Sequence, residues 1–309
     1  MKYWASVAAL LVLAVVVALA PTNDYFFYAA FVVLQFVVLA TAWNILGGYA
    51  GYVNFGAGAF FAIGAYTAVV LFKSVGAPLA VQIAAGAAVS ALLGFGVGLL
   101  TLRLRGIFFA IATVAVTFVL ETMMINWRYV GGATGLQLVR PPVELFGTYT
   151  RMLFVVMAIV ALAAVSVARY VQDSWIGRGL RAIRDSEEAA ECSGVPTLKL
   201  KLFACTISGA LMGAAGAPMP MYLAFIEPAS SFSLNYSVSA LAMPMIGGTA
   251  HWIGPVIGAL LLATIQQVVT VTISGEINVL VIGVLLVVFV VAAPDGVLGL
   301  FKRWLRSSR

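Results

Sequence analysis

The chain has 309 residues, of which 63% are hydrophobic and only 9% charged. An ordinary soluble domain carries about 25% charged residues, so a soluble fold is excluded and a bilayer is the solvent that fits. The net charge of +6 sits in short segments between apolar runs, the placement that orients a membrane protein rather than one that binds nucleic acid.

A spanning helix needs about 20 apolar residues to cross the hydrocarbon. Ten runs fit: 3–20, 25–46, 53–72, 78–101, 107–126, 152–169, 201–224, 235–248, 253–274 and 277–293. The first, sixth, eighth and tenth are short. The expected fold is therefore an all-α membrane protein of about ten transmembrane helices, one permease-like domain over 1–309. With the N-terminus inside and the spans alternating, thirteen Lys and Arg fall on inner segments and four on outer ones. This positive-inside bias predicts that both termini are cytoplasmic. Residues 1–20 have a second reading as a signal peptide ending at Ala18-Leu19-Ala20, although Pro21 directly after disfavours cleavage.

The glycines at 47, 48, 51, 56, 58 and 64 have two readings. They permit close helix packing, the reading for most of them, or they break a helix and expose backbone to a cargo. Asn44 and Asn54 flank this stretch and are the best polar candidates for a pathway. Gly247 and Gly248, after Met243-Pro244, interrupt the eighth span in the same way. Glu121 is the one carboxylate clearly inside a span. It is a candidate for the outer gate, paired with Arg128, or a structural hydrogen-bonding group near the headgroups.

The outer segment at about 127–151 is Gly- and Pro-rich and reads as irregular. The inner segment at about 170–200 is the most charged part of the chain. It reads as a helix of about four turns, ended by Gly194 and Pro196. Helices on either side of the sixth span have the directions that an inverted repeat would need.

The chain has no G-x-x-x-x-G-K-[ST] phosphate loop, nucleophile constellation or acid pair, so no enzyme is read here. Cys192 and Cys205 lack metal-ligand spacing, and His251 beside Trp252 reads as an interface residue without chemistry. Energy for transport must come from a partner or from an ion gradient. The scarcity of mid-span carboxylates favours the partner.

Within the inner segment, Glu188-Ala189-Ala190, three residues, then Gly194 matches the EAA-type motif of importer permeases. Several stretches also resemble the branched-chain amino acid permease family of ABC importers, in its LivM-like branch. They are TAWNILGGYAGYVNFGAGAFFAIGAYTAVV at 41–70, RLRGIFFAIATVAVTFVLE at 103–121, GRGLRAIRDSEEAAECSGV at 177–195, the long stretch 210–259 and PDGVLGLFKR at 294–303. The resemblance implies a type II-like importer permease in a bacterial inner membrane. It implies a second LivH-like permease, two cytoplasmic ATPase subunits and a periplasmic or lipid-anchored binding protein. ATP and Mg would be used by the ATPase subunits, with no cofactor in this chain. The coupling helix would lie within about 174–194, with Arg181, Arg184, Glu187, Glu188, Ala189, Ala190 and Gly194 meeting the ATPase: small residues for close approach, charged ones as a polar rim. Family members often have Ser and His where this chain has Asn54 and Ala57. The resemblance implies a branched-chain or related amino acid as cargo; if positions 54 and 57 face the pathway, their departure points to urea, short amides or organic acids as alternatives.

Overall fold

A computed structural model describes residues 2–19, 23–101, 103–104, 106–140, 147–272, 280, 283–284, 287–288 and 296–299. The tenth expected span, 277–293, lies largely outside the described residues.

The described chain is helical almost throughout. In order come α1 (Lys2–Leu19), α2 (Asp24–Ala50), α3 (Ala57–Val75), α4 (Leu79–Thr101), α5 (Ile107–Asn126), α6 (Tyr149–Asp173), α7 (Trp175–Asp185), α8 (Glu187–Cys192), α9 (Thr197–Gly216), α10 (Met219–Leu223), α11 (Pro228–Ser231), α12 (Leu234–Gly247) and α13 (Ile253–Thr272). Seven segments among the described residues are long and apolar enough to cross a membrane: α2, α3, α4, α5, α6, α9 with α10, and α13. The eighth expected span appears as α12, which has only 14 residues. At 1.5 Å per residue it reaches about 21 Å, short of the roughly 30 Å of hydrocarbon.

Helix α2 is the central post. Asn23 caps its start, accepting from the Tyr25 amide at 3.1 Å, and from Val37 to Leu46 it is buried on every side. It packs against α6, α9, α12 and α13. Apolar burial does not drive helices together in lipid, because lipid is as apolar as leucine; close contact and interhelical hydrogen bonds do. Both occur here. The α3, α4 and α9 backbones meet at Gly64, Gly86 and Gly213, where a Cβ on Gly64 would overlap the Gly213 carbonyl. Buried side chains then tie neighbouring backbones. Gln35 Nε2 donates to Ala215 O at 3.2 Å, Ser208 Oγ to Ala42 O at 2.8 Å and Ser90 Oγ to Phe60 O at 2.9 Å. Helices α4 and α5 present broad apolar faces outward, including Leu92, Leu100, Ile107, Phe108 and Val119.

Long-range contacts sort the connecting segments to two ends of the bundle. At one end Lys73 Nζ donates to Tyr129 O at 2.7 Å, and Arg140 Nε donates to Met221 O at 3.0 Å. There the two-residue strands β1 (Leu136–Gln137) and β2 (Phe225–Ile226) pair antiparallel. The segment from Arg128 is thus partly ordered, with two short 3-10 turns before β1. At the opposite end lie α7, α8, Gly51 and the turn at Thr249–Trp252. Arg169 and Tyr3 lie there too, the guanidinium 3.9 Å from the Tyr3 ring centroid.

The third expected span starts later than its hydropathy suggests. Residues 51–56 are not helical. Gly51 ends α2 with φ 77, donating its N–H to Leu46 O. Beyond it, Trp43 Nε1 donates to Asn54 O at 2.8 Å, so the strap 51–56 folds back along α2 before α3 begins. Unwound backbone at such depth is tolerated only where its polar groups are satisfied by protein. Asn54 Oδ1 accepts from Gly56 N at 2.7 Å, Thr113 Oγ1 from Phe55 N at 3.1 Å and Ser237 Oγ from Gly58 N at 3.0 Å.

Candidate functional site

The charged segment between α6 and α9 is two helices, not the single four-turn helix its composition suggests. Ser186 breaks it in extended conformation (φ −162, ψ 112) and caps α8, accepting from the Ala189 amide. A serine that offers its oxygen to the next helix competes with continuation of the previous one. Glu187 and Glu188 follow in the first turn of α8, where the helix dipole favours negative charge.

Helix α7 lies on the bundle through Gly177, Leu180 and Ile183, which are buried. Its arginines turn back onto this chain. Arg184 Nη1 donates to Gly48 O in the last turn of α2 at 2.7 Å, and Arg181 Nη2 to Gln172 O in the last turn of α6 at 3.4 Å. A guanidinium at a helix C-terminus satisfies orphan carbonyls and complements the dipole. Gly51 makes the first contact possible: a Cβ there would sit 3.2 Å from Arg184 Cγ. Gln172 joins further parts, its Oε1 accepting from Trp252 N at 2.6 Å and Tyr49 OH at 3.3 Å.

Helix α8 has an inner and an outer face. Glu187 points inward. Its Oε1 accepts from Lys201 Nζ at 2.6 Å and its Oε2 from Tyr52 OH at 2.6 Å, while Lys201 also donates to Tyr52 OH at 3.0 Å. The Lys201 and Glu187 side chains are 4% and 13% exposed. Ala190 is buried in this chain's own core, and Glu191 accepts from Thr197 Oγ1 at 2.7 Å. Glu188 and Ala189 face solvent. Of the seven residues expected to meet a partner, then, Arg181, Arg184, Glu187 and Ala190 bind the chain to itself. The exposed surface of the pair includes Arg178, Arg184, Asp185, Glu188, Ala189, Cys192 and Gly194.

Gly194 ends α8 with φ +80, its N–H on Glu191 O and that of Val195 on Ala190 O, and no atom lies within 4 Å of where a Cβ would be. The glycine answers a left-handed backbone, not a crowded contact. Gly194→Ala is expected to lose about 1 kcal/mol of local stability, read as faster amide exchange across 187–195 with the rest of the protein unchanged.

The residues expected to line a pathway do not gather in one place. Asn44 Nδ2 donates to Thr249 O at 3.2 Å, which brings it beside Gly247 and Gly248 at the α7–α8 end. Gly247 and Gly248 pack against the α13 backbone at Gly254. Asn54 lies in the strap and caps its turn. Both asparagines are 1% exposed, and through these hydrogen bonds they brace the two turns. Glu121 follows Thr113 and Thr117 at helical spacing on the inward face of α5 and is half-buried. Among the described residues it makes no ion pair, with Arg128 or any other group. His251 Nδ1 accepts from Ile253 N at 3.3 Å, a local turn contact. The residues that hydropathy and motif reading passed over are Tyr52, Lys201 and Gln172. Only Lys201 left a signal, as one of the cations of the inner segment at the start of the run 201–224.

A family model described as branched-chain amino acid transport system, permease component, matches residues 25–290. The high-affinity branched-chain amino acid transport system permease protein LivM of Salmonella typhimurium is 28% identical over 300 residues, covering 88% of this chain and 69% of that protein. LivM of Escherichia coli is 27% identical with the same coverage. A probable branched-chain amino acid transport permease protein LivH of Methanocaldococcus jannaschii is 26% identical over 277 residues, covering 82% of this chain and 87% of that one. No solved structure matches at a significant level.

Proposed function

The chain belongs to the family of permease components of branched-chain amino acid transport systems, and from that premise we propose that it is one of two permeases in an ATP-driven, binding-protein-dependent importer. The second permease is LivH-like, two cytoplasmic ATPase subunits use ATP and Mg, and a periplasmic or lipid-anchored protein delivers the cargo. About ten spans cross a bacterial inner membrane, with the α7–α8 end and both termini cytoplasmic. The observation that carries this reading is the pair α7–α8. It joins two long spans, is roped to the bundle by Arg184, Arg181 and Glu187, and keeps a polar outer face. A rigid surface tied to α2, α6 and α9 can receive a force made in water and pass it to helices in lipid.

Glu188→Lys is expected to weaken recovery of the ATPase subunits with the two permeases about tenfold, since a reversed charge meets a complementary patch. Membrane insertion should be unchanged, because Glu188 lies on the exposed face of α8. Full recovery of the ATPase would sink the docking assignment. Persistence of transport after ATP depletion would instead support a gradient-driven carrier.

For the cargo, branched-chain or related amino acids fit the family. The family resemblance leaves urea, a short amide or an organic acid as the alternative cargo. Screening small molecules for a rise in the melting temperature of the cognate binding protein separates the two, because a ligand stabilises the fold it binds.

A further inference from the structure

Tyr52, Glu187 and Lys201 close a three-membered ring of hydrogen bonds. It joins three pieces of chain that are remote in sequence: the strap 51–56, α8 and the first turns of α9. The Lys201 ammonium also lies 4.8 Å from the centroid of the Tyr52 ring, whose edge meets Phe109 of α5 at 5.2 Å. Such a cluster is a poor device for stability alone, because the cost of desolvating two charges offsets most of their attraction. What it supplies is direction, since each partner is held in one geometry.

The strap that begins at Tyr52 has no helical bonds of its own to stiffen it. Side chains from α2 and α5 hold it instead, through Trp43 and Thr113, and Ser237 of α12 accepts from Gly58 N just inside α3. Its far end is the start of α3, and there Gly58 meets the start of α12, where a Cβ would lie 3.0 Å from Ser233 O. A shift of α8 therefore has a short mechanical route inward. Glu187 pulls on Tyr52, Tyr52 on the strap, and the strap on the points where two interrupted helices begin.

We propose that the Tyr52–Glu187–Lys201 ring transmits motion of the ATPase-docking helix α8 to the unwound strap, with Tyr52 and Lys201 acting as positioning residues for transport. This rests on the reading of α7–α8 as the ATPase contact.

The test uses the full importer with its ATPase subunits, Cys192→Ser to remove the exposed thiol, and Val53→Cys as a reporter on the strap, where Val53 is 37% exposed. The rate of maleimide labelling at position 53 is compared between the nucleotide-free complex and one trapped with Mg-ATP and vanadate. With the ring intact the two rates should differ, by about tenfold if hydrogen bonds to a charged group hold the strap. In Tyr52→Phe, which removes one oxygen and keeps the ring packing, the ratio should fall to about one while ATP hydrolysis and vanadate trapping persist. A structural role alone would change both rates together and lower the melting temperature. If Tyr52→Phe does not assemble, Glu187→Gln reads the same ratio. Equal rates in the two states of the intact complex, or a ratio that survives the substitution, overturns the proposal. Failure of the intact chain to bind any ATPase subunit overturns the functional reading beneath it instead.

Discussion

Lys201→Ala should cost about 3 kcal/mol of stability, the lower end of the range for breaking a buried ion pair. The substitution strips the Glu187 carboxylate, only 13% exposed, of the Lys201 ion pair at 2.6 Å and leaves Tyr52 as its partner in the ring. The lower end applies because some water still reaches Glu187. Replacing both charges, as in Glu187→Leu with Lys201→Met, removes the desolvation cost together with the attraction, so the double variant should recover most of the loss. Thermal unfolding in detergent reads both. If the single and double variants unfold at the same temperature, the pair is not the source of the penalty. The double variant also separates stability from transmission: its fold should be restored, while its strap no longer follows α8.

Gly64→Ala and Gly96→Ala are expected to move stability in opposite directions, although each adds one methyl group to a membrane helix. At Gly64 the methyl meets the Gly213 carbonyl oxygen, which is backbone and cannot rotate away. Gly213 is itself wedged, since a Cβ there would come within 2.6 Å of Gly86 O. Helices α3 and α9 must separate, losing the close contact that holds helices together in lipid. The cost should reach about 3 kcal/mol, the top of the usual range for overpacking. Gly96 in α4 has nothing within 4 Å, so alanine should be neutral there or gain up to about 1 kcal/mol from backbone entropy. The difference in unfolding midpoint between the two variants is the measurement. Equal effects would mean that the α3–α4–α9 contact does not limit stability.

Both predictions turn on residues that sequence reading treated differently. The glycines of 47–64 were legible as packing residues or as a helix break, and the structure uses both: Gly64 packs, while Gly51 and Gly56 bound the strap. Lys201 was legible only as one more cation on an inner segment. Its partner lies 14 residues earlier and their shared tyrosine 149 residues earlier, and no local pattern links the three. Arg184 and Ala190 show the same limit. An EAA-type motif leads to the expectation of a surface that meets a partner, but it does not say which side of the helix is outward. Here Ala190 faces the core, and Arg184 caps a helix that ended 134 positions before it.

By itself the sequence determined the solvent and the class. Unbroken apolar runs with few charges require a bilayer, and the runs located most of the helices to within a few residues. The charged segment located α7 and α8, whose polar outer face is exposed. What the tertiary structure alone decided was direction around each helix. In water, an apolar stripe marks the buried face; in lipid, both faces of a span are apolar, so hydropathy carries no such mark. The inward faces of α3, α5 and α9 are set by glycines that admit a neighbouring backbone and by hydrogen bonds between residues far apart in the chain. At the two breaks, 51–56 and the turn after α12, side chains from other helices satisfy backbone groups: Trp43 and Thr113 at the first, Asn44 and Gln172 at the second.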